Sequence, residues 1–488
     1  MNTPVRRLAT IAALMFLALM VAATSVQFVQ APSLNADGRN VRTIYREFGQ
    51  DRGPIIVAGE SIASSTPVDT SYRYQRSYAV PHLYAHSTGY FAAALSSMTG
   101  MERAANEVLG GTADSLVVQR LQDLITGRQP QGGSVELTLD PAAQQAAWDA
   151  LGDARGAVVA LDTRTGAILA MVSKPSFDPN ALAVHSAEEA QEAQEAYDAL
   201  LADPTDPLVN RAIAGDLYAP GSSFKVVVAA AAIEQQGLEA DSPVPSPAQL
   251  QLPLSTQVVN NPGGIACTAE DTAPLRYTME QSCNTTFAQL GMDLGAEAIA
   301  EQAEAFGFGQ PLQIPLDVTA SRYPEEADAA RTAMSALGQV DVRVTPLQMA
   351  MVSQAIANGG EQMRPYLVAT ERNADLEVVS TTEPTVLRES VSPETADVLT
   401  ELMTSVVENG TGRAAQLPGI AVAGKTGTAQ SGSDAPPHAW FTSFAPADDP
   451  RVAVAVVVEN GGIEGDIASG GTTAAPIARQ VLAALLAD

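Results

Sequence analysis

The segment YAPGSSFKVVVAAAAIEQQG, Tyr218 to Gly237, sets a lysine at the head of a helix whose next residues, Val226 to Ile233, are apolar on nearly every side. A helix of that composition belongs in the interior of a domain. Pro220 and Gly221 form the turn before it, and the helix begins at the two serines. Ser222 and Lys225 are three apart and share one helix face, whereas Ser223, two from the lysine, points elsewhere. The helix start adds free backbone N–H groups and a partial positive charge. This is how a serine nucleophile with a lysine base is built.

Lysine is scarce enough here for each one to need a reason. Of 27 basic residues only Lys174, Lys225 and Lys425 are lysine, and all the others are arginine. Arginine keeps its proton in a protein, while a desolvated lysine can lose it. To act as a base, Lys225 must fall from about 10.4 towards 7, roughly 3 units or about 4 kcal/mol. Burial supplies part of that shift, and a second ammonium nearby supplies more by repulsion. Lys425 is the candidate for that second charge. Lys174, in VSKPSFDPN, reads as an ordinary lysine.

Two further stretches carry chemistry. QSCNTTF holds Ser282 and Asn284 on either side of Cys283, so that a hydroxyl relay and a substrate-holding amide project the same way from a turn or extended segment. In VAGKTGTAQS, the strand-like IAVAG runs into Lys425, Thr426, Gly427 and Thr428. A glycine between threonines suits an edge strand that a substrate backbone approaches closely. Lys425 and the two threonine hydroxyls form a site for a carboxylate. Taken singly, the three motifs have ordinary readings: a snorkelling lysine, a polar helix cap and a hairpin edge. In the order S-x-x-K, S-x-N, K-T-G they form the signature of penicillin-binding proteins and serine β-lactamases.

The rest of the chain is consistent with an enzyme outside the cytoplasm. With 488 residues, 46% of them hydrophobic, it has core enough for two or three domains. A formal charge of −28 and the lack of any basic stripe exclude nucleic acid as a partner class. Two cysteines and four histidines leave no ligand cluster at zinc spacing, so neither a metal site nor another cofactor is expected. MNTPVRR places Arg6 and Arg7 before LATIAALMFLALMVAATSVQFV, about 20 uncharged residues, long enough to span a bilayer. The length favours an uncleaved anchor over a secretory signal, for which VAATS is the alternative cleavage site. Residues 1–7 are then a short cytoplasmic tail and 8–30 a transmembrane anchor. The remainder faces outward from the plasma membrane as a single-pass protein.

Residues 31–132 mix short strand-like runs such as GPIIVAG with the helix-like GMERAANEVLGG and read as a small mixed domain. GRQPQGG, Gly127 to Gly133, suits a linker. From residue 133 to 488, GAVVALDTRTGAILAMVS and HAWFTSFAPADDPRVAVAVVVEN are two hairpins, the second turning at Pro446 to Pro450. SAEEAQEAQEAYDALLAD is an acidic surface helix, and TAAPIARQVLAALLAD closes the chain as an amphipathic helix. Strands at both ends with helices between them predict an α+β domain, an antiparallel sheet covered by helices.

The sequence resembles the class B penicillin-binding proteins, and among them the short actinobacterial penicillin-binding protein A type. The resemblance runs over nearly the whole chain. PGSSFK resembles the nucleophile motif, with Ser223 where threonine is usual. AGKTGTAQ, TPLQMAMVSQAIANGG, GAILAMVSKPSFDPN and AWFTSF are similar to family patterns, and NVR, RGPI and TGMERAANEVLGG resemble the family's pedestal domain. The resemblance implies a five-stranded antiparallel sheet covered by helices, an all-helical subdomain and a small N-terminal pedestal.

It also implies a D,D-transpeptidase. Ser222 attacks the D-Ala–D-Ala carbonyl of a peptidoglycan stem peptide, Lys225 takes its proton, and Ser282 and Lys425 relay a proton to the leaving nitrogen. Asn284 orients the peptide, Thr426 and Thr428 bind the terminal carboxylate, and the N–H groups of Ser222 and Thr428 form the oxyanion hole. β-Lactams acylate Ser222. A membrane glycosyltransferase and other wall-synthesis or division proteins are the implied partners. Cys267 and Cys283, facing an oxidising compartment, are either bonded, for about 3 kcal/mol, or two buried thiols. A hydrolase of the same chemistry (a D,D-carboxypeptidase or β-lactamase) is one competing reading, and a β-lactam sensor or division scaffold without turnover is the other. The anchor and pedestal weigh against a diffusible hydrolase, and the intact motifs weigh against a scaffold.

Overall fold

The computed structural model describes residues 3–26, 49–69, 73–116, 125, 131–184, 189–324, 327–430 and 435–487. A helix over Thr3–Thr24 carries the N-terminal apolar run, and none of its side chains is buried against the rest of the protein. Its length and composition suffice to cross a membrane. The expected anchor residues 27–30, the NVR segment and most of the linker fall outside the described residues.

The larger sheet has five antiparallel strands in the order Ala423–Ala429, His438–Ala445, Val452–Val458, Gly156–Asp162 and Ile168–Lys174. Both expected hairpins are in it. Alternation along the strands sends side chains into two different cores. Val158, Ala160, Val454 and Val456 pack with Ala143, Ala147, Ile477 and Val481 of the helices Pro141–Leu151 and Ala475–Leu486. Val159, Leu161, Ala453 and Val457 face the opposite way, into the core that holds Met349 and Val352 of Pro346–Ala357 and Val226 to Ala230 of Lys225–Gln236. A sheet covered on both faces explains why Val452–Val458 is buried throughout and reads as a continuous apolar run.

A second sheet has six strands, ordered Val378–Thr381, Val368–Arg372, Ser134–Leu137, Ile55–Val57, Glu60–Pro67 and Tyr74–Tyr78. Ile55 pairs in parallel with Val135, so this sheet draws strands from both sides of residue 132. Parallel pairing between distant segments leaves no local trace in sequence, which is why composition suggested a division there. Beneath this sheet Glu102 is fully buried and accepts from Arg52 Nε, from Arg76 Nε at 2.7 Å and from Tyr78 Oη at 3.2 Å. The two guanidinium groups keep its carboxyl ionised despite burial, below the ordinary glutamate value. Lys174, read from sequence as an ordinary lysine, lies over the Trp148 ring at 3.9 Å and donates to the Gly152 carbonyl.

Candidate active site

The nucleophile candidate sits on a short turn jammed against a strand. Gly221–Phe224 forms a 3-10 turn that runs directly into the helix Lys225–Gln236. Gly221 has φ +54°, and a Cβ there would lie 2.5 Å from the Thr428 carbonyl oxygen, so only glycine fits. Gly427 serves the same contact from the other side, since its Cβ would come within 2.6 Å of the Pro220 oxygen. The S-x-x-K turn and the K-T-G strand therefore touch backbone to backbone. Ser223 is fully buried and donates to the Pro220 carbonyl at 2.7 Å, away from the lysine. Ser222 lines the open cleft, and its hydroxyl has no protein partner among the described residues.

Both motif lysines are fully buried and converge on one hydroxyl. Lys225 Nζ donates to the Ser282 carbonyl at 2.7 Å, to Asn284 Oδ1 at 2.8 Å and to Ser282 Oγ at 3.2 Å. Lys425 Nζ donates to Ser282 Oγ at 2.9 Å and to the Thr426 carbonyl at 3.0 Å. Every acceptor is uncharged, so no opposite charge offsets the loss of hydration. Burial, then repulsion from Lys425, holds Lys225 well below the ordinary lysine value. Burial brings Lys425 down to about 7. A lysine pushed in this direction gives up its proton more readily, which is the change a general base needs.

Ser282 is held at φ +56°, a left-handed conformation that non-glycine residues adopt rarely. This backbone is what brings its hydroxyl and its carbonyl to the lysines together. Next to it, Cys283 is bonded to Cys267 with Cα atoms 6.0 Å apart. Asn284 opens the helix Asn284–Leu294, and its amide nitrogen donates to the Asn260 carbonyl at 2.9 Å, which fixes its orientation in the cleft. Thr426 Oγ1 lies 2.7 Å from Thr411 Oγ1, and Thr428 Oγ1 accepts from the Gly470 N–H at 3.4 Å.

The cleft has a volume of ≈ 770 Å³, and Ser222, Ser282, Asn284, Thr426 and Thr428 all line it. The structure thus gathers every residue singled out from the three motifs, although they are spread over about 200 positions. No group of His, Cys, Asp and Glu among the described residues is arranged to hold a metal ion.

Several contributors were not read from sequence. Tyr218 Oη donates to Glu459 Oε1 at 2.6 Å, and Arg211 Nε and Arg155 Nε hold the same carboxylate at 2.7 and 3.0 Å. Trp440 Nε1 donates to the Ala219 carbonyl at 3.0 Å. Together they clamp the residues just before Ser222. An isolated glutamate after the seven apolar residues VAVAVVV was the available signal. Thr411, Arg413 and the Ser469–Thr472 wall lie in polar turns without any distinguishing pattern.

The family described as the penicillin binding protein transpeptidase domain matches residues 156–483. This chain belongs to that family. Residues 52–135 of this penicillin-binding protein match the penicillin binding protein A dimerisation domain. Relatives include the peptidoglycan D,D-transpeptidases PbpA of Mycolicibacterium smegmatis, 45% identical over the full length of both chains, and of Mycobacterium tuberculosis, 43% identical over all of this chain and 99% of the relative. Penicillin-binding protein A from M. tuberculosis, solved as a ceftriaxone acyl-enzyme complex, is similar with a TM-score of 0.86 and 43% identity, covering 91% of this chain and 100% of that one. The same protein has been solved as an imipenem acyl-enzyme, with a TM-score of 0.84, 42% identity, and coverage of 90% of this chain and 99% of that one. The fold is the penicillin-binding transpeptidase fold expected from the motifs.

Proposed function

We propose that this penicillin-binding protein is a serine D,D-transpeptidase that cross-links peptidoglycan stem peptides through an acyl-enzyme on Ser222. The observation that carries the reading is the pair of buried lysines sharing Ser282 Oγ in the cleft that holds Ser222. Lys225, whose burial and like-charged neighbour favour loss of its proton, takes the proton of Ser222 Oγ. The oxygen attacks the carbonyl carbon between the two D-alanines. The resulting oxyanion meets the N–H groups of Ser222 and Thr428, a reading supported by the close backbone approach of Gly221 to Thr428. As the C–N bond breaks, the proton passes through Ser282 and Lys425 to the leaving nitrogen, and the last D-alanine departs. The amine of a second stem then attacks the ester, forms the cross-link and frees Ser222. Asn284 orients the donor peptide, while Thr426 and Thr428 hold its terminal carboxylate.

The N-terminal helix anchors the enzyme as a single-pass protein with residues 133–488 as the catalytic domain and 31–132 as the pedestal, outside the plasma membrane. There a membrane glycosyltransferase supplies the glycan and wall-synthesis or division proteins assemble with it. β-Lactams acylate Ser222 by mimicking the dipeptide.

The test is incubation of the full-length protein in detergent with a fluorescent penicillin, followed by intact mass. A single stable adduct that survives Ser223→Ala and disappears in Ser222→Ala supports the reading. An adduct that vanishes within seconds points to a hydrolase, and no adduct in the parent protein refutes the assignment.

A further inference from the structure

We infer that Arg413 is a specificity residue of the cleft, pairing with the carboxylate that ends the donor peptide and with the ring carboxylate of a β-lactam in its place. The inference rests on the transpeptidase reading of the same site. The chain carries a formal charge of −28, yet no carboxylate lines the cleft among the described residues, and Arg413 is its single charged lining side chain. The motif lysines lie beneath the wall, fully buried. Arg413 is exposed and forms no ion pair or side-chain hydrogen bond among the described residues. Elsewhere in the protein, arginines such as Arg52, Arg76, Arg211 and Arg276 are each engaged by a carboxylate. The fork of Arg413 is left free to face the cleft.

Its position identifies the ligand group. The turn that carries it is pinned to the site by Thr411 N donating to the Glu280 carbonyl at 3.1 Å and by Gly412 N donating to the Val406 carbonyl at 3.0 Å. The Thr411 hydroxyl meets that of Thr426 at 2.7 Å, and Arg413 follows two residues later. Arg413 therefore lines the same cleft as Thr411, Thr426 and Thr428, the last two being the threonines assigned to the terminal carboxylate. A planar fork matches a carboxylate in two-point fashion, which an isolated hydroxyl cannot do. An anionic peptide approaching a strongly anionic protein is repelled at long range, so one local cation at the mouth also favours productive encounter. Because the side chain is open to solvent, its effect is moderate.

The experiment measures second-order acylation of the full-length protein by benzylpenicillin and by its uncharged methyl ester, in the parent and in Arg413→Gln, Arg413→Lys and Arg413→Glu. Arg413→Gln is expected to slow benzylpenicillin about tenfold while the ester changes by less than roughly twofold. Arg413→Lys should keep part of the preference, Arg413→Glu should lose more, and added salt should slow the parent more than Arg413→Gln. An unchanged ratio of penicillin to ester in Arg413→Gln, or equal slowing of both, overturns the inference. Failure of the parent to form a Ser222 adduct would sink the transpeptidase reading itself, and the inference with it. A normal parent adduct with an unchanged ratio removes only the arginine.

Discussion

Replacing Ser282 by alanine and by glycine separates the chemistry of its hydroxyl from the strain of its backbone. The hydroxyl accepts Lys425 at 2.9 Å and Lys225 at 3.2 Å, so both variants break the shared contact. Lys225 keeps the Ser282 carbonyl and Asn284 Oδ1, and Lys425 keeps the Thr426 carbonyl, so neither lysine is left without an acceptor. Stability should therefore fall by the two hydrogen bonds that end on the hydroxyl, about 2–4 kcal/mol, and by less above pH 7, where Lys425 can shed its proton. The proton relay is lost outright, for which acylation should slow by about 10²- to 10⁴-fold in both variants. The two differ at φ +56°, where a Cβ costs about 1–2 kcal/mol. Glycine gives back about 0.4–1 kcal/mol through its freer unfolded chain. Ser282→Gly should thus exceed Ser282→Ala in stability by roughly 0.5–1 kcal/mol while remaining as slow. Urea denaturation and a gel time course with fluorescent penicillin measure the two quantities. Acylation of Ser282→Ala within a few-fold of the parent would refute the relay, and a glycine variant less stable than the alanine one would refute the strain.

The pH dependence follows from the two depressed lysines. Between about 7 and the unfolded value of about 10.4 the unfolded chain binds more protons at Lys425, so this group makes stability rise with pH across that window and imposes its full penalty below it. The acylation rate against pH should be bell-shaped, rising as Lys225 loses its proton and falling as the coupled pair loses its second, with both limbs below the ordinary lysine range. A single limb near 10 would contradict it. Reducing the Cys267–Cys283 bond, which joins positions 16 apart, should remove about 3 kcal/mol and slow acylation, because Cys283 sits between Ser282 and Asn284. Identical urea midpoints and rates before and after reduction would show that the bond does neither. Glu102→Gln should destabilise the protein by about 3–5 kcal/mol, since two buried guanidinium groups lose their shared anion, yet leave acylation normal below the unfolding transition. A loss under 1 kcal/mol in denaturant titration would mean that the cluster relaxes or hydrates.

The part of the site that was legible in sequence is the part written in short segments. Ser222 and Lys225 are one helical step apart, Ser282 and Asn284 flank one residue, and Thr426 and Thr428 alternate along one strand, so each motif's geometry is local. Lysine is scarce in this chain, and two of its three lysines fall within the motifs. The hairpins and closing helix were legible for the same reason, as their periodicity is a property of consecutive residues. Glu459, Tyr218 and Trp440 were not, because their roles arise from contacts across more than 200 positions of chain.

What the sequence by itself determined is the set of groups, Ser222, Lys225, Ser282, Asn284 and the Lys425–Thr428 strand, in an order that one fold family uses. Only the tertiary structure decided how they act. It stacks the Gly221 turn on Thr428, removes both lysines from water and turns Ser282 into a left-handed backbone so that one oxygen serves them both. Lysine becomes a base through desolvation and like-charge repulsion, and both depend on what surrounds the amine in space. It also runs the pedestal sheet through strands from both sides of residue 132, since strand pairing is a relation between distant segments that neither segment encodes alone.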